Sequence, residues 1–240
     1  IVRAADAVIT TTSFHTAYFR SILPKKHEKK VFTITNGVDL NQFELNNSTD
    51  LECFTIIHAG NFDPSRSPRG FLEAISSIDK NFPNIFGKDS VRLYGNINPL
   101  VADYIEEYKL GSIVHQMGIK PYDEIVKIIS EAAILLLVVH NDPSTPKYCI
   151  PAKLFEYMAT GRPIIAISPK GAAAEIIDQY QLGVVISHNN VKQIESVILE
   201  YYDSYVSGSL VTKIPEKKIL EKFDRKGLTK QLAKILDNLN

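Results

Sequence analysis

Two helix starts in this sequence carry cations where a helix does not welcome them. In "YCIPAKLFEYMATGRPIIAI" (148–167), Pro151 suits the first position of a helix, which puts Lys153 in the first turn. In "HAGNFDPSRSPRGFLEAI" (58–75), Ser67 can cap and Pro68 can open a second helix, with Arg66 and Arg69 around its N-terminus. The helix macrodipole is already positive there, so each cation is disfavoured by about 0.3–1 kcal/mol when exposed. Arg66, Arg69 and Lys153 could simply be solvated surface charges. Gathered at one crevice with the N–H groups of two helix starts, they instead form a basket for a phosphate or diphosphate. Glu156 lies three residues beyond Lys153 and projects from the same helical face, while Leu154, Phe155 and Met158 take the opposite side. As a surface ion pair, Lys153 and Glu156 would contribute little. One turn below a bound diphosphate, the Glu156 carboxylate can accept hydrogen bonds from a ribose diol, which fits a nucleoside diphosphate.

Other chemistries find little support. No phosphate-loop lysine motif, G-x-G-x-x-G, H-E-x-x-H or cysteine-pair metal spacing occurs, so no metal site is expected. The six histidines are dispersed. His58 falls in a predicted core strand and reads as a satisfied buried residue rather than a catalyst. His140 follows a strand and faces the predicted crevice, where a functional or a structural role is open. Cys53 and Cys149 are too few for a disulfide framework or structural zinc; Cys53 opens an apolar run as a small hydrophobe, and Cys149 lies in a loop without an evident base. Lys plus Arg and Asp plus Glu balance at 27 each, and without a basic stripe a nucleic-acid partner is not expected. The longest apolar run, Ala132–Val139, has 8 residues, far too few for a membrane span. With no signal-peptide pattern, the expected location is cytoplasmic, at most at the inner face of a membrane. The basic run "LPKKHEKK" (23–30) reads first as a solvated helix end or loop, and second as a contact for anionic lipid.

The elements that would position these residues are legible as short apolar, β-branched runs alternating with amphipathic segments. Strands are expected at Ala7–Thr11, Val31–Thr35, Phe54–His58, Val91–Tyr94, Ile113–His115, Ile134–Val139, Ile164–Ile167 and Val184–Ile186. Helices are expected at Phe71–Ile78, Val101–Tyr108, Tyr122–Ser130 and Pro151–Thr160. Strand–helix alternation with continuous apolar strands predicts an α/β fold, a doubly wound parallel sheet covered on both faces. The last six strands complete one Rossmann-like domain over residues 46–190. In the order 3-2-1-4-5-6, Phe54–His58 and Ile134–Val139 are neighbours at the topological switch point, so ligand is expected at the loops 59–68 and 140–150. Residues 1–45 hold two further strands that belong to neither half cleanly. The tail 191–240 is helical and charged, with two short helices expected to break near Gly227.

The motifs now assembled resemble those of the family 4 retaining glycosyltransferases, enzymes of the two-domain GT-B fold. "PAKLFEYMATGRPIIA" is similar to the family's nucleotide-sugar signature, "ITNGVDLNQFE" (34–44) to its interdomain segment, "IIHAGNFDPSRSPRGFLEAI" to its phosphate loop, and "MGIKPYDEI" (117–125) to the loop bordering the base. The matches run in family order over about residues 5–190. The resemblance implies a nucleotide-diphosphate sugar as donor substrate, no cofactor, and transfer with retention and without an essential metal. Lys153 and Arg66 would stabilise the leaving diphosphate as the catalytic cations, Arg69 would join them, and Glu156 would hold the ribose. Gly60, Asn61, Tyr148, Cys149 and Ile150 would line the donor site, and Lys120 would lie beside the base through its backbone. Tyr148 stands where many members have an acidic residue near the donor sugar, so that contact is expected to differ or to come from Asp142. Asn61 stands where an Arg is frequent, leaving the arginine role to Arg66 or Arg69, with Arg66 favoured. The acceptor, a glycan or lipid-linked glycan, would engage a preceding domain that this chain mostly lacks, residues 1–45 being its remnant with a linker, so the chain alone is expected to bind donor without turnover. An unpaired strand edge at Ala7–Thr11 is expected to favour self-association. Two other functions fit the same residues: a sugar-nucleotide epimerase of GT-B fold, and a nucleotide-sugar-binding module without chemistry.

Overall fold

The computed structural model describes residues 2–43, 51–141 and 148–239. Six parallel strands form the main sheet: β3 (Ile56–Ala59), β4 (Val91–Tyr94), β5 (Val114–Gly118), β6 (Ile134–Val138), β7 (Ile164–Ile167) and β8 (Gly183–Ile186). Their spatial order is β5-β4-β3-β6-β7-β8, the 3-2-1-4-5-6 arrangement expected from the sequence, with β3 and β6 adjacent at the switch point. Helices α2 (Arg69–Asn81), α3 (Pro99–Glu107) and α7 (Val191–Val206) cover one face. Helices α4 (Tyr122–Ser130), α5 (Lys153–Thr160) and α6 (Ala172–Tyr180) cover the other. Strand β6 shows why the sequence reads as an unbroken apolar run. Ile134, Leu136 and Val138 enter the core under α2 and α7, while Leu135, Leu137 and Val139 enter the core under α4 and α5. A strand covered on both faces has no polar side to alternate with.

Before the main sheet, β1 (Val8–Thr10) and β2 (Val31–Thr33) pair in parallel through α1 (Ser13–Ile22) as a separate two-stranded sheet. The basic run is a 3-10 turn over Lys25–Lys30, with Lys30 donating to the carbonyls of Arg3 and Ala5. No described helix is long and apolar enough to cross a membrane.

Several boundaries differ from the sequence-based expectation. Helix α2 opens at Arg69, not Pro68, although the Ser67 hydroxyl does accept from the Arg69 N–H at 3.3 Å. Helix α5 opens at Lys153; Pro151 and Ala152 form a tight lead-in turn whose carbonyls accept from Leu154 and Phe155. Gly161 ends α5 at φ 68°, the left-handed conformation that favours glycine at this position. The C-terminal break is not at Gly227, which lies inside α9 (Arg225–Asp237). The chain breaks at Asp224 instead, after the short α8 (Lys217–Leu220), because its backbone pairs with the segment at Val38. The Val38 N–H donates to the Phe223 carbonyl at 2.9 Å, and the Arg225 N–H donates to the Val38 carbonyl at 3.0 Å. That tertiary pairing overrides the local helix-breaking tendency of Gly227. Cys53 is exposed rather than packed as a small hydrophobe, since β3 begins only at Ile56.

Candidate functional site

The site is built where the loops after β3 and β6 meet the first turn of α5. Strand β3 ends with Ala59, and the chain turns at Gly60 with φ 146°. A Cβ at Gly60 would fall on the Lys153 ammonium, so a glycine here leaves the room that the lysine occupies. Lys153 Nζ stands 3.2 Å from His58 Nε2, and the opposite ring nitrogen of His58, Nδ1, lies 2.9 Å from the Leu136 carbonyl of β6. A carbonyl accepts only, so Nδ1 carries the proton and Nε2 is the acceptor for Lys153. Tyr157, one turn along α5 and fully buried, closes the arrangement: its hydroxyl accepts from the Ala59 N–H at 2.9 Å and donates to the same Leu136 carbonyl at 3.4 Å. The start of α5 is thus tied to the carboxyl ends of both switch-point strands.

Arg66 is held by the two loops together. Its Nε donates to His140 Nε2 at 2.9 Å, so His140 carries its proton on Nδ1 and gives it to the Ser65 hydroxyl. Ser65 in turn donates to Asp63, whose carboxylate lies 3.6 Å from Arg66 and completes the ring of contacts. The Asn141 N–H donates to the Ser65 carbonyl at 3.0 Å, a further link from the β6 loop to the β3 loop. Desolvation raises the Asp63 carboxyl, but hydrogen bonds from Ser65 and the nearby Arg66 outweigh it and hold the group below its usual range.

The electrostatics of the site centre on Lys153. Burial above all, and then the neighbouring Arg66, bring its ammonium down to about 8, with Glu156 and Asp63 partly opposing the shift. Burial and the Lys153 charge hold His58 well below the ordinary imidazole value, so the ring is neutral. The Asp63 and Glu156 carboxylates are near the Lys153 and Arg66 cations, but Asp63 is engaged by Ser65 and Arg66, and among the described residues neither carboxylate forms an ion pair with Lys153.

The pattern of the family described as "Glycosyl transferases group 1" matches residues 53–204, more than half of the chain. The chain belongs to this family. The chain is 25% identical over 137 residues to the putative colanic acid biosynthesis glycosyltransferase WcaL of Salmonella typhimurium, covering 56% of this chain and 33% of the relative. It is 25% identical over 146 residues to the amylovoran biosynthesis glycosyltransferase AmsK of Erwinia amylovora, covering 61% of this chain and 36% of the relative. The matched region therefore spans about a third of those proteins. Among solved structures, Anabaena HepE in complex with UDP-glucose superposes with a TM-score of 0.73 at 16% identity, over 98% of this chain and 64% of the other. Sucrose-phosphate synthase from Thermosynechococcus elongatus gives 0.74 at 18%, over 99% and 59%. At such identities the likeness shows the shared GT-B fold.

Within this member of the family, the site residues expected from the sequence divide into two sets. Lys153, Arg66 and Gly60 come together at the switch point, and Cys149 borders them; burial pushes its thiol up, and the Arg66 charge partly offsets this. Ile150 is buried in the core below them. Glu156 accepts from the Tyr122 hydroxyl at the start of α4; burial first, then Glu156, raises that phenol to about 12. Arg69 points elsewhere: its guanidinium pairs with Glu107 at 3.1 Å, bonds the Tyr108 hydroxyl and lies over the Tyr104 ring on α3. The Asn61 side chain is engaged in shaping the loop, accepting from the Asn96 N–H at 2.9 Å. Tyr148 stacks on His15 of α1 at 4.6 Å between ring centroids. Lys120 follows the turn at Gly118 and lies 3.8 Å from Glu124. Asp142 lies outside the described residues. His58, Tyr157, Tyr122 and Ser65 were not among the expected site residues. A hydroxyl at Tyr157 on the buried side of α5 was the available signal, since a buried phenol finds a hydrogen-bond partner.

Proposed function

We propose that the crevice binds the diphosphate of a nucleotide-sugar donor for retaining, metal-independent glycosyl transfer to a glycan or lipid-linked acceptor. The observation that carries this reading is the Lys153 ammonium, desolvated over Gly60 beside Arg66 at the switch point of the sheet. A desolvated ammonium without an ion-pair partner among the described residues is costly, and an anion bound against it would offset that cost. In the transfer, the bond from the anomeric carbon to the diphosphate oxygen breaks, and its electron pair leaves with the diphosphate. The acceptor hydroxyl oxygen bonds to the same carbon on the same face, and its proton passes to the departing diphosphate oxygen. Charge grows on the departing oxygens, and Lys153 and Arg66 stabilise it without reorganising. Glu156, one turn along α5, accepts from the ribose diol in place of the Tyr122 hydroxyl. The names of the relatives, glycosyltransferases of colanic acid and amylovoran biosynthesis, support a role in glycan biosynthesis. Anabaena HepE and the Staphylococcus aureus TarM mutant, both solved with UDP or a UDP-sugar, support a uridine donor as the first to test.

Saturation-transfer NMR with UDP-, GDP- and ADP-sugars tests the assignment. The expected result is saturation of the ribose protons of one donor, lost in Glu156→Ala. Saturation that survives unchanged in Glu156→Ala would remove the ribose role from this residue.

A further inference from the structure

His58 is the residue of this site that its position does not explain. It is fully buried on β3, between apolar neighbours that would pack well against an aliphatic side chain. An imidazole there brings two polar nitrogens into the core, and both must be satisfied. The Leu136 carbonyl satisfies one, and fixes the Nδ1–H tautomer. The ring is clamped by stacking on Phe62, with centroids 4.0 Å apart and planes 16° from parallel. The Nε2 lone pair then faces Lys153 Nζ at 3.2 Å, with the Gly60 backbone also beside the ring.

An ammonium has three donors. Among the described residues Lys153 gives one to His58 and makes no other hydrogen bond. The charged groups around it come from every neighbouring element: Arg66 and Asp63 from the loop after β3, and Glu156 from its own helix. His140, after β6, acts on Arg66 rather than on Lys153. None of these charged groups is within ion-pair distance of Nζ, so among the described residues His58 is the fixed point of the lysine head.

We propose that His58 is a positioning residue for Lys153: its Nε2 lone pair anchors one Nζ–H and leaves the other two directed at the bound diphosphate. This rests on the nucleotide-sugar reading for the ligand, but not for the pairing itself. A core histidine serving only to fill space would present Nε2 to any nearby backbone donor. Here it faces a cation that burial already pushes toward neutrality, and an acceptor held against it favours the charged form.

The test uses the wild-type chain, His58→Phe and His58→Gln, with two separate readouts. The first follows the Lys153 ¹³Cε shift through a pH titration and the ring nitrogen shifts of His58, with no nucleotide present. A neutral Nδ1–H ring is expected in the wild type. In His58→Phe, which can still stack on Phe62, the Lys153 titration should move down by about half a pH unit or more. Glutamine offers an amide oxygen in place of Nε2 and should largely restore it. The second readout is diphosphate affinity, expected to fall about tenfold in His58→Phe and to recover in His58→Gln. An Nε2–H tautomer in the wild type, or a Lys153 titration unmoved by His58→Phe, overturns the proposal whatever the nucleotide does. A Lys153 titration that moves as expected while no nucleotide binds the wild type would leave the pairing standing and overturn the donor assignment. The wild-type tautomer decides the matter even if the phenylalanine variant fails to fold.

Discussion

At the scale of single residues, Lys153 is the group whose state matters most. Its proton is lost at about 8 in the free protein, against the ordinary lysine value of 10.5. A diphosphate binds the charged form, so binding raises the value and takes up a proton near pH 8. Affinity is therefore expected to be level below pH 8 and to fall as pH rises through the free-protein value. Calorimetry at pH 8 in buffers of different ionisation heat reads that uptake directly. The sign for stability is the opposite. Between about 8 and 10.5 the unfolded chain holds a proton that the folded chain has released, so this group makes folding more favourable as pH rises through that window. Below it, the charged lysine is a burden on the free protein. Lys153→Met is accordingly expected to raise the melting temperature at pH 7 while weakening diphosphate binding about tenfold to a hundredfold. A lysine that merely supported the fold would show a lowered melting temperature in the same variant. Lys153, Glu156 and Arg66 were legible in the sequence because charge at a helix start is a local pattern. The roles of His58 and His140 were not. Their partners, Leu136, Lys153, Ser65 and Arg66, are brought to them by sheet register and by the meeting of two loops.

At the scale of elements, the site depends on how α5 is pinned to β3 and β6. Tyr157 provides one pin, and Tyr157→Phe would leave the Ala59 N–H buried without its acceptor. The expected loss is about 1–3 kcal/mol, read by denaturant unfolding, with a larger effect on diphosphate affinity than on secondary structure. Gly60 provides the clearance. Gly60→Ala combines a φ of 146° with a Cβ on the lysine head, so diphosphate binding is expected to fall by at least tenfold, checked by titration on the folded variant. The strand pattern was the most readable part of the sequence. Leu135 and Leu136 face opposite cores, and the unbroken apolar run announces a strand covered on both faces. Element ends were less readable. Pro68 and Pro151 both sit just ahead of the helices they were expected to open, because proline suits a lead-in turn as well as a first helical turn. The break at Asp224 answers to Val38, far away in the sequence, and no window around Gly227 contains it.

At the scale of the whole molecule, the β1–α1–β2 unit and its linker meet the main domain through several contacts. They include the backbone pairing of Val38 with Phe223 and Arg225, the Arg225 Nε bond to the Gly37 carbonyl, the packing of Val38 and Phe43 into the core under α5, and the stack of His15 on Tyr148. Tyr148 stands where the sequence suggested a sugar contact, and its ring instead faces α1. On α9, Leu232 and Leu236 are exposed, so Leu236→Ala is expected to change unfolding free energy by less than about 0.5 kcal/mol. Alternation announces a doubly wound sheet, and the common strand order 3-2-1-4-5-6, which the structure has, puts the crevice at β3 and β6.

The most direct measurement of the central claim is calorimetric titration of the wild-type chain and Lys153→Ala with UDP, GDP, ADP and CMP at pH 7. Binding of one diphosphate, weakened at least tenfold by the substitution, is the predicted result. Equal binding to both proteins, or binding of none by the wild type, would contradict a donor site built on Lys153.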